Sequence, residues 1–164
     1  MIHRTLVAAA LLTGLVAAQS TMAQTAPVAN LGFKLGDNVA IVKAALGTNA
    51  EPESMPKNPR LPANVPNLSK GKTVLHLRTK GIWVFFNATG TVDTIRLDAP
   101  FAGDVLGVKL GDTTKQVIKK LGNPIKKPST AFLTMQSYRY VIDDSAYVNY
   151  DTNDDGVQII FITK

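Results

Sequence analysis

The chain has 164 residues, of which 45% are hydrophobic and 18% charged, with 18 Lys and Arg against 12 Asp and Glu and a formal net charge of +6. That length suits one ordinary domain or two very small ones. There is no cysteine, which excludes a disulfide framework, thiol chemistry and a lipid-modified cysteine together.

Residues 1–23 read as an export signal. His3 and Arg4 give a basic start, TLVAAALLTGLVAA is an apolar run of about fourteen residues, and Thr21-Met22-Ala23 supplies small residues for cleavage. The run is shorter than the roughly twenty apolar residues of a membrane span. The expected mature chain therefore begins near Gln24, is soluble without stable membrane insertion, and resides in a bacterial periplasm or is secreted. Loss of Arg4, the only charged side chain of residues 1–23 at neutral pH, takes the net charge from +6 to +5. In that compartment a positive charge favours an acidic partner or envelope polymer over nucleic acid.

The next ordered element is a short helix. Asn38 is a good N-cap, Gly47 a stop, and Val39 to Leu46 between them would bury Ile41, Val42, Ala45 and Leu46. This helix sits in LGFKLGDNVAIVKAALG, residues 31–47, which recurs as LGVKLGDTTKQVIKKLG, residues 106–122, with nine of seventeen positions identical. A self-similar segment of this kind organises the whole reading. Residues 51–72 follow, with five of the nine prolines, and are expected to be an ordered surface loop or a strap across the domain. Three strands come next, TVLHLRT, IWVFFN and TVDTIRLD, separated by Lys80-Gly81 and Asn87-Ala88-Thr89-Gly90.

In the second copy Thr113 and Gln116 form a capping box, and Gly122 and Pro124 end a helix over residues 114–121. Val117, Ile118 and Leu121 lie on one side of it and Lys115, Lys119 and Lys120 largely on the other. Strands SYRYVI, SAYVNYDT and VQIIFIT complete the chain, so that Trp83-Val84-Phe85-Phe86 matches Tyr147-Val148-Asn149-Tyr150. The expected fold is α+β with two tandem repeats, residues 24–100 and 101–164, each placing short helices on a three- or four-stranded antiparallel sheet. A cleft is expected between the two sheet halves. Alternation assigns Leu75, Leu77, Val84, Phe86, Ile95, Leu97, Val148 and Tyr150 to the helix side. It assigns His76, Arg78, Trp83, Phe85, Thr94, Arg96, Tyr147 and Asn149 to the other side.

The pattern LGVKLGDTTKQVIKKLGNP, with its glycine-aspartate turn, capping box and closing Leu-Gly-x-Pro, resembles the repeat of the β-lactamase inhibitor protein. It is similar too to the small lipoprotein subunit of the outer-membrane β-barrel assembly machine. The resemblance covers nearly the whole mature chain and implies a helix-loop-helix unit on an antiparallel sheet. The inhibitor carries that unit in tandem and grips an enzyme with the exposed sheet face. Two departures stand out: there is no cysteine to carry a lipid, and residues 51–72 are longer than the family pattern.

Few residues invite catalysis. His76 is the only histidine after export, which leaves no multi-histidine metal site, and none of Ser54, Ser69, Ser129, Ser137 or Ser145 lies in a nucleophile elbow. The surviving glutamates, Glu51 and Glu53, lie in the proline-rich loop, and Asp37 and Asp112 recur at helix ends. Residues 151–156, DTNDDG, match the opening of a calcium loop, but Ile162 stands where the bidentate glutamate is needed and strands flank the segment. A polar hairpin is the simpler reading. No catalytic residue, metal or cofactor is assigned.

Aromatic residues mixed with arginine are the composition of binding hot spots, and all four tyrosines, Tyr138, Tyr140, Tyr147 and Tyr150, lie on second-half strands. The lysines Lys115, Lys119, Lys120, Lys126 and Lys127 are either a solvated face or a docking patch. The expected function is a soluble, exported, non-enzymatic protein-binding module, an inhibitor or envelope-assembly accessory. Its partner would be an exported or envelope protein of acidic character, held by Trp83, Phe85, Arg78, Arg96, Tyr147 and Asn149. The alternative is a small-ligand or envelope-polymer binder.

Overall fold

A computed structural model describes residues 30–56, 62, 64, 66–132 and 134–164. The expected export signal lies outside the described residues, as does part of the proline-rich loop. Among the described residues no helix is long and apolar enough to cross a membrane.

Among the described residues there are two α-helices, each set by its ends. Helix α1 spans Val39–Leu46, where the Asn38 side chain accepts from the Ile41 N–H and Gly47 closes the helix in the left-handed conformation. Helix α2 spans Thr114–Leu121 and starts in a complete capping box, Thr113 with Gln116. The Lys-Leu-Gly-Asp segments before them make matching bonds. Asp37 Oδ2 accepts from the Lys34 N–H and Asp112 Oδ2 from the Lys109 N–H, each at 2.8 Å. The Gly36 N–H donates to Val92 at 2.9 Å and the Gly111 N–H to Val157 at 2.8 Å, while the carbonyls of Asp37 and Asp112 accept from those same valines. Recurrence of glycine and aspartate at these positions thus reflects how each helix is pinned to a strand start.

Among the described residues, eight of the ten strands form one antiparallel sheet. Strand β1 (Glu53–Ser54) is a short edge, followed by β2 (Thr73–Leu77), β3 (Ile82–Phe86) and β4 (Val92–Leu97). A small hairpin, β5 (Asp104–Val105) and β6 (Val108–Lys109), precedes α2. Strands β7 (Ser129–Ala131), β8 (Met135–Asp143), β9 (Ala146–Asn153) and β10 (Gly156–Thr163) follow. The main sheet has eight strands in the order β1-β2-β3-β4-β10-β9-β8-β7. Its halves meet where β4 pairs with β10, Arg96 opposite Phe161 and Ile95 opposite Ile162. The expected separate sheets with a cleft between them are therefore not what forms: the two central strands exchange backbone hydrogen bonds, and the cleft is closed by sheet.

One face of this sheet is the core. Leu75, Val84, Phe86, Ile95, Leu97, Val148, Tyr150 and Ile160 are all buried, beneath Val42 and Leu46 of α1, Val117 of α2, and Val105 and Val108 of the small hairpin. Each such side chain stabilises the fold by about 1.5–3 kcal/mol relative to exposure. Ile41, expected in the buried face of α1, is 45% exposed, and Ala45 is also exposed. An eight-residue helix lying on a sheet buries a narrower stripe than the periodicity of its apolar residues suggests.

Three of the four tyrosines belong to this core side: Tyr150, as alternation expects, and with it Tyr138 and Tyr140, which shared the hot-spot composition of the second-half strands. The Tyr150 hydroxyl donates to the Val105 carbonyl at 2.7 Å and Tyr140 to the Gly122 carbonyl at 3.0 Å, while Tyr138 packs against the core. They give the core large apolar area and tie the sheet to the segments that cover it.

Candidate binding face

Strand pairing places one residue from each of six strands in a row across the opposite face. His76 stands opposite Trp83, Trp83 opposite Arg96, Arg96 opposite Phe161, Phe161 opposite Asn149, and Asn149 opposite Arg139. The adjoining row holds Val74, Phe85, Thr94, Thr163, Tyr147 and Val141. Trp83, Phe85, Phe161 and Tyr147 are half-buried, with no helix packed over them among the described residues.

Arg96 is the centre of the row. Its guanidinium lies 5.1 Å from the Trp83 ring centroid and 5.9 Å from that of Phe161, and it pairs with Asp98 at 2.7 Å. Trp83 Nε1 donates to the same carboxylate, at 3.2 and 3.3 Å to its two oxygens. Asp98 thus fixes the indole and the guanidinium together, a pre-ordered aromatic and cationic surface that has little rotamer freedom left to lose on binding. Phe85 stacks beyond Trp83, and Phe132, 60% exposed on the β7–β8 hairpin, stacks on Phe161.

His76 lies flat against Trp83. Burial, with the positive charges of Arg78 and Arg96, holds its imidazole below the ordinary histidine range, against an opposing pull from Asp98. It is an aromatic tile of the surface with the proton disfavoured. Of the six residues expected to bind a partner, Trp83, Arg96 and Asn149 share the first row and Phe85 and Tyr147 the second. Arg78 is different. It begins a 3-10 turn, Arg78–Lys80, so strand alternation does not govern its side chain, and it is exposed beside β2 rather than within either row.

At the β8 and β9 end of the face lies a cavity of ≈ 140 Å³ lined by Lys126, Ser129, Ser137, Arg139, Asn149, Asp151 and Phe161. Arg139 Nε donates to Asn149 Oδ1 at 2.7 Å, and its guanidinium stands over Tyr147 at 5.4 Å. Asp151 is only 3% exposed, and its Oδ1 has no hydrogen-bond partner. Burial pushes this carboxyl up, partly offset by Ser137 and by the charge of Arg96. The calcium-loop segment does not gather its acids. Asp154 and Asp155 form the β9–β10 turn, Asn153 Oδ1 accepts from the Asp155 N–H at 2.9 Å, and Asp151 lines the cavity. Among the described residues no group of three or more His, Asp or Glu could hold a metal ion.

Sequence reasoning missed Phe161, Arg139 and Asp151. Their alternation within β8, β9 and β10 could have placed them on this face, but a bulge between Val157 and Ile159 resets the phase of β10, and the β4–β10 pairing that sets Phe161 beside Arg96 leaves no local mark. Of the five lysines, Lys120 has a structural task, donating to the Gly107 carbonyl at 2.8 Å and to Asp112 at 2.6 Å. Lys126 lines the cavity.

No family model matches the chain, and no curated protein matches it. Among solved structures it is similar to a crystal structure of a DUF4309 family protein, YjgB, from Bacillus subtilis. The two share 19% identity over 77% of each chain with a TM-score of 0.45.

Proposed function

We propose that this chain is an exported, non-enzymatic binding module that docks an acidic exported or envelope protein on its open sheet face, as an inhibitor or assembly accessory would. The observation that carries this reading is the row Trp83, Arg96, Phe161, Asn149 and Arg139: half-buried aromatics interleaved with guanidinium groups on one rigid sheet. Tryptophan and arginine are enriched where interfaces concentrate their energy. Arg139 forms no ion pair among the described residues, so a carboxylate of the partner would meet an uncompensated guanidinium.

The sheet that carries this face is, on the same proposal, two tandem repeats joined edge to edge. Support comes from the paired Lys-Leu-Gly-Asp turns with matching hydrogen bonds, and from the placement of β4 and β10 side by side. Export to a periplasm rests on residues 1–23 and on the absence of cysteine.

The test is affinity capture from the periplasmic extract of the native host, comparing wild type with Trp83→Ala/Phe85→Ala. A protein recovered with wild type and lost with the variant, at matched thermal stability of the two baits, is the expected result. Identical recoveries would contradict docking on this face.

A further inference from the structure

The cavity beneath Arg139 has the wrong contents for a passive gap in a sheet surface. Its floor holds Asp151, which is nearly fully buried and whose Oδ1 lacks a donor. The Ser137 hydroxyl offsets only part of the cost of burying this carboxylate, and an oxygen left without a donor is where a ligand hydrogen can supply the missing bond. The rest of the lining offers donors. Because Asn149 Oδ1 already accepts from Arg139 Nε, the Asn149 amide is left with its Nδ2 hydrogens, and Arg139 with its terminal nitrogens. Lys126 and Ser129 add further donors, while the Ser137 hydroxyl serves Asp151 itself. The site is therefore bipolar: one hydrogen-bond acceptor on the floor and several donors, two of them cationic, around it.

Size narrows the ligand. A cavity of ≈ 140 Å³ has room for roughly five to ten water-sized groups and suits a molecule, or the end of one, of similar atom count. We propose that this cavity binds a small α-amino or α-hydroxy carboxylate, its carboxylate directed to Arg139, Lys126 and Asn149 and its ammonium or hydroxyl hydrogen to Asp151. Charge-assisted bonds at both ends give such a ligand more than either pole alone. The site does not depend on protein docking at the Trp83 end of the face, because neither Trp83 nor Phe85 lines it.

The same chemistry, a carboxylate with a donor on the adjacent carbon, occurs in a free acid and at the carboxyl terminus of a peptide. An NMR titration of the mature protein with alanine, lactate, N-acetylalanine and propionate separates these cases. Alanine or lactate is expected to shift the amides of Arg139, Asn149 and Asp151 saturably, with Kd of about 1 mM or lower. Propionate, which keeps the carboxylate and lacks the donor, is expected to bind about tenfold more weakly, the loss of one good hydrogen bond. In Asp151→Asn, alanine should fall to the propionate level while propionate is unchanged. Trp83→Ala/Phe85→Ala should bind alanine as wild type does, so that loss of partner capture and loss of ligand binding are read separately. Equal affinity for alanine and propionate in the wild type, or no saturable shift up to about 100 mM, would overturn the assignment without recourse to any variant. Binding of N-acetylalanine in place of alanine would overturn the free-acid ligand in favour of a chain terminus.

Discussion

Asp151 and Asp112 are two buried or half-buried carboxylates with opposite consequences for stability. Burial raises the Asp151 carboxyl above the ordinary aspartate value. Its protonated form is favoured by folding, so this residue adds stability as pH falls through its folded value and withholds it at neutral pH. Replacing Asp151 with Asn is thus expected to raise the neutral-pH melting temperature by about 2–5 °C, with the gain shrinking toward acid pH. Asp112 is the reverse case. Burial opposes its ionisation, but the Lys109 N–H and the Lys120 ammonium outweigh it and hold the carboxyl below its usual range. Its stability is present above the ordinary carboxylate value and lost as pH falls through the folded one, and Asp112→Asn should cost about 1 kcal/mol at neutral pH. Thermal melts of both variants across pH 3–7 check the signs; shifts in the same direction at neutral pH would contradict this reading of Asp151. Alternation along single strands was enough to assign Trp83, Phe85, Arg96, Tyr147 and Asn149 to the open face. It said nothing of Asp98, whose role depends on reaching Trp83 and Arg96 together, nor of the tyrosine hydroxyls, whose acceptors Val105 and Gly122 are distant in sequence.

Helix ends and turns were the most legible elements because their chemistry is local. Asn38, Thr113, Gln116 and Gly47 each act within a few residues of their own position. The same locality let the recurring Lys-Leu-Gly-Asp segment be recognised before its purpose was evident, since what it holds is a strand start some 46–56 residues further along. Gly156 belongs to that junction. Its φ is +99°, and a Cβ there would stand 2.5 Å from the Gly111 carbonyl oxygen and 2.8 Å from that of Asp112. Both obstacles are backbone, so Gly156→Ala must displace the turn that pins α2. A loss of about 2–4 kcal/mol is expected in chemical denaturation. Gly90→Ala, where φ is +75° and nothing lies within 4 Å of the added carbon, should cost about 1 kcal/mol. Equal losses at the two sites would show that the close approach of Gly156 to the α2 turn is not what constrains it.

For the molecule as a whole, the decisive contact is the one between β4 and β10. Sequence reading supplied the helices, most strands and the covered face, but left two sheets with a cleft, because pairing between distant strands depends on backbone edges that any residue can offer. Joining those edges changes what the surface can do. It sets Arg96 between Trp83 and Phe161 and turns two short aromatic strips into one row across six strands. On the proposed reading, this half-buried face, with guanidinium groups set among rings, takes the broad contact with a protein partner, and the Asp151 cavity at its end takes a small ligand. Site-specific photocrosslinking in the native host tests the docking claim most directly, with a photoreactive residue placed at Phe85 or Tyr147 on the open face, or at Ile41, which is 45% exposed on α1. A discrete protein adduct from positions 85 and 147, absent from position 41, is the expected result. Adducts from position 41 alone, or none from the sheet face, would contradict it.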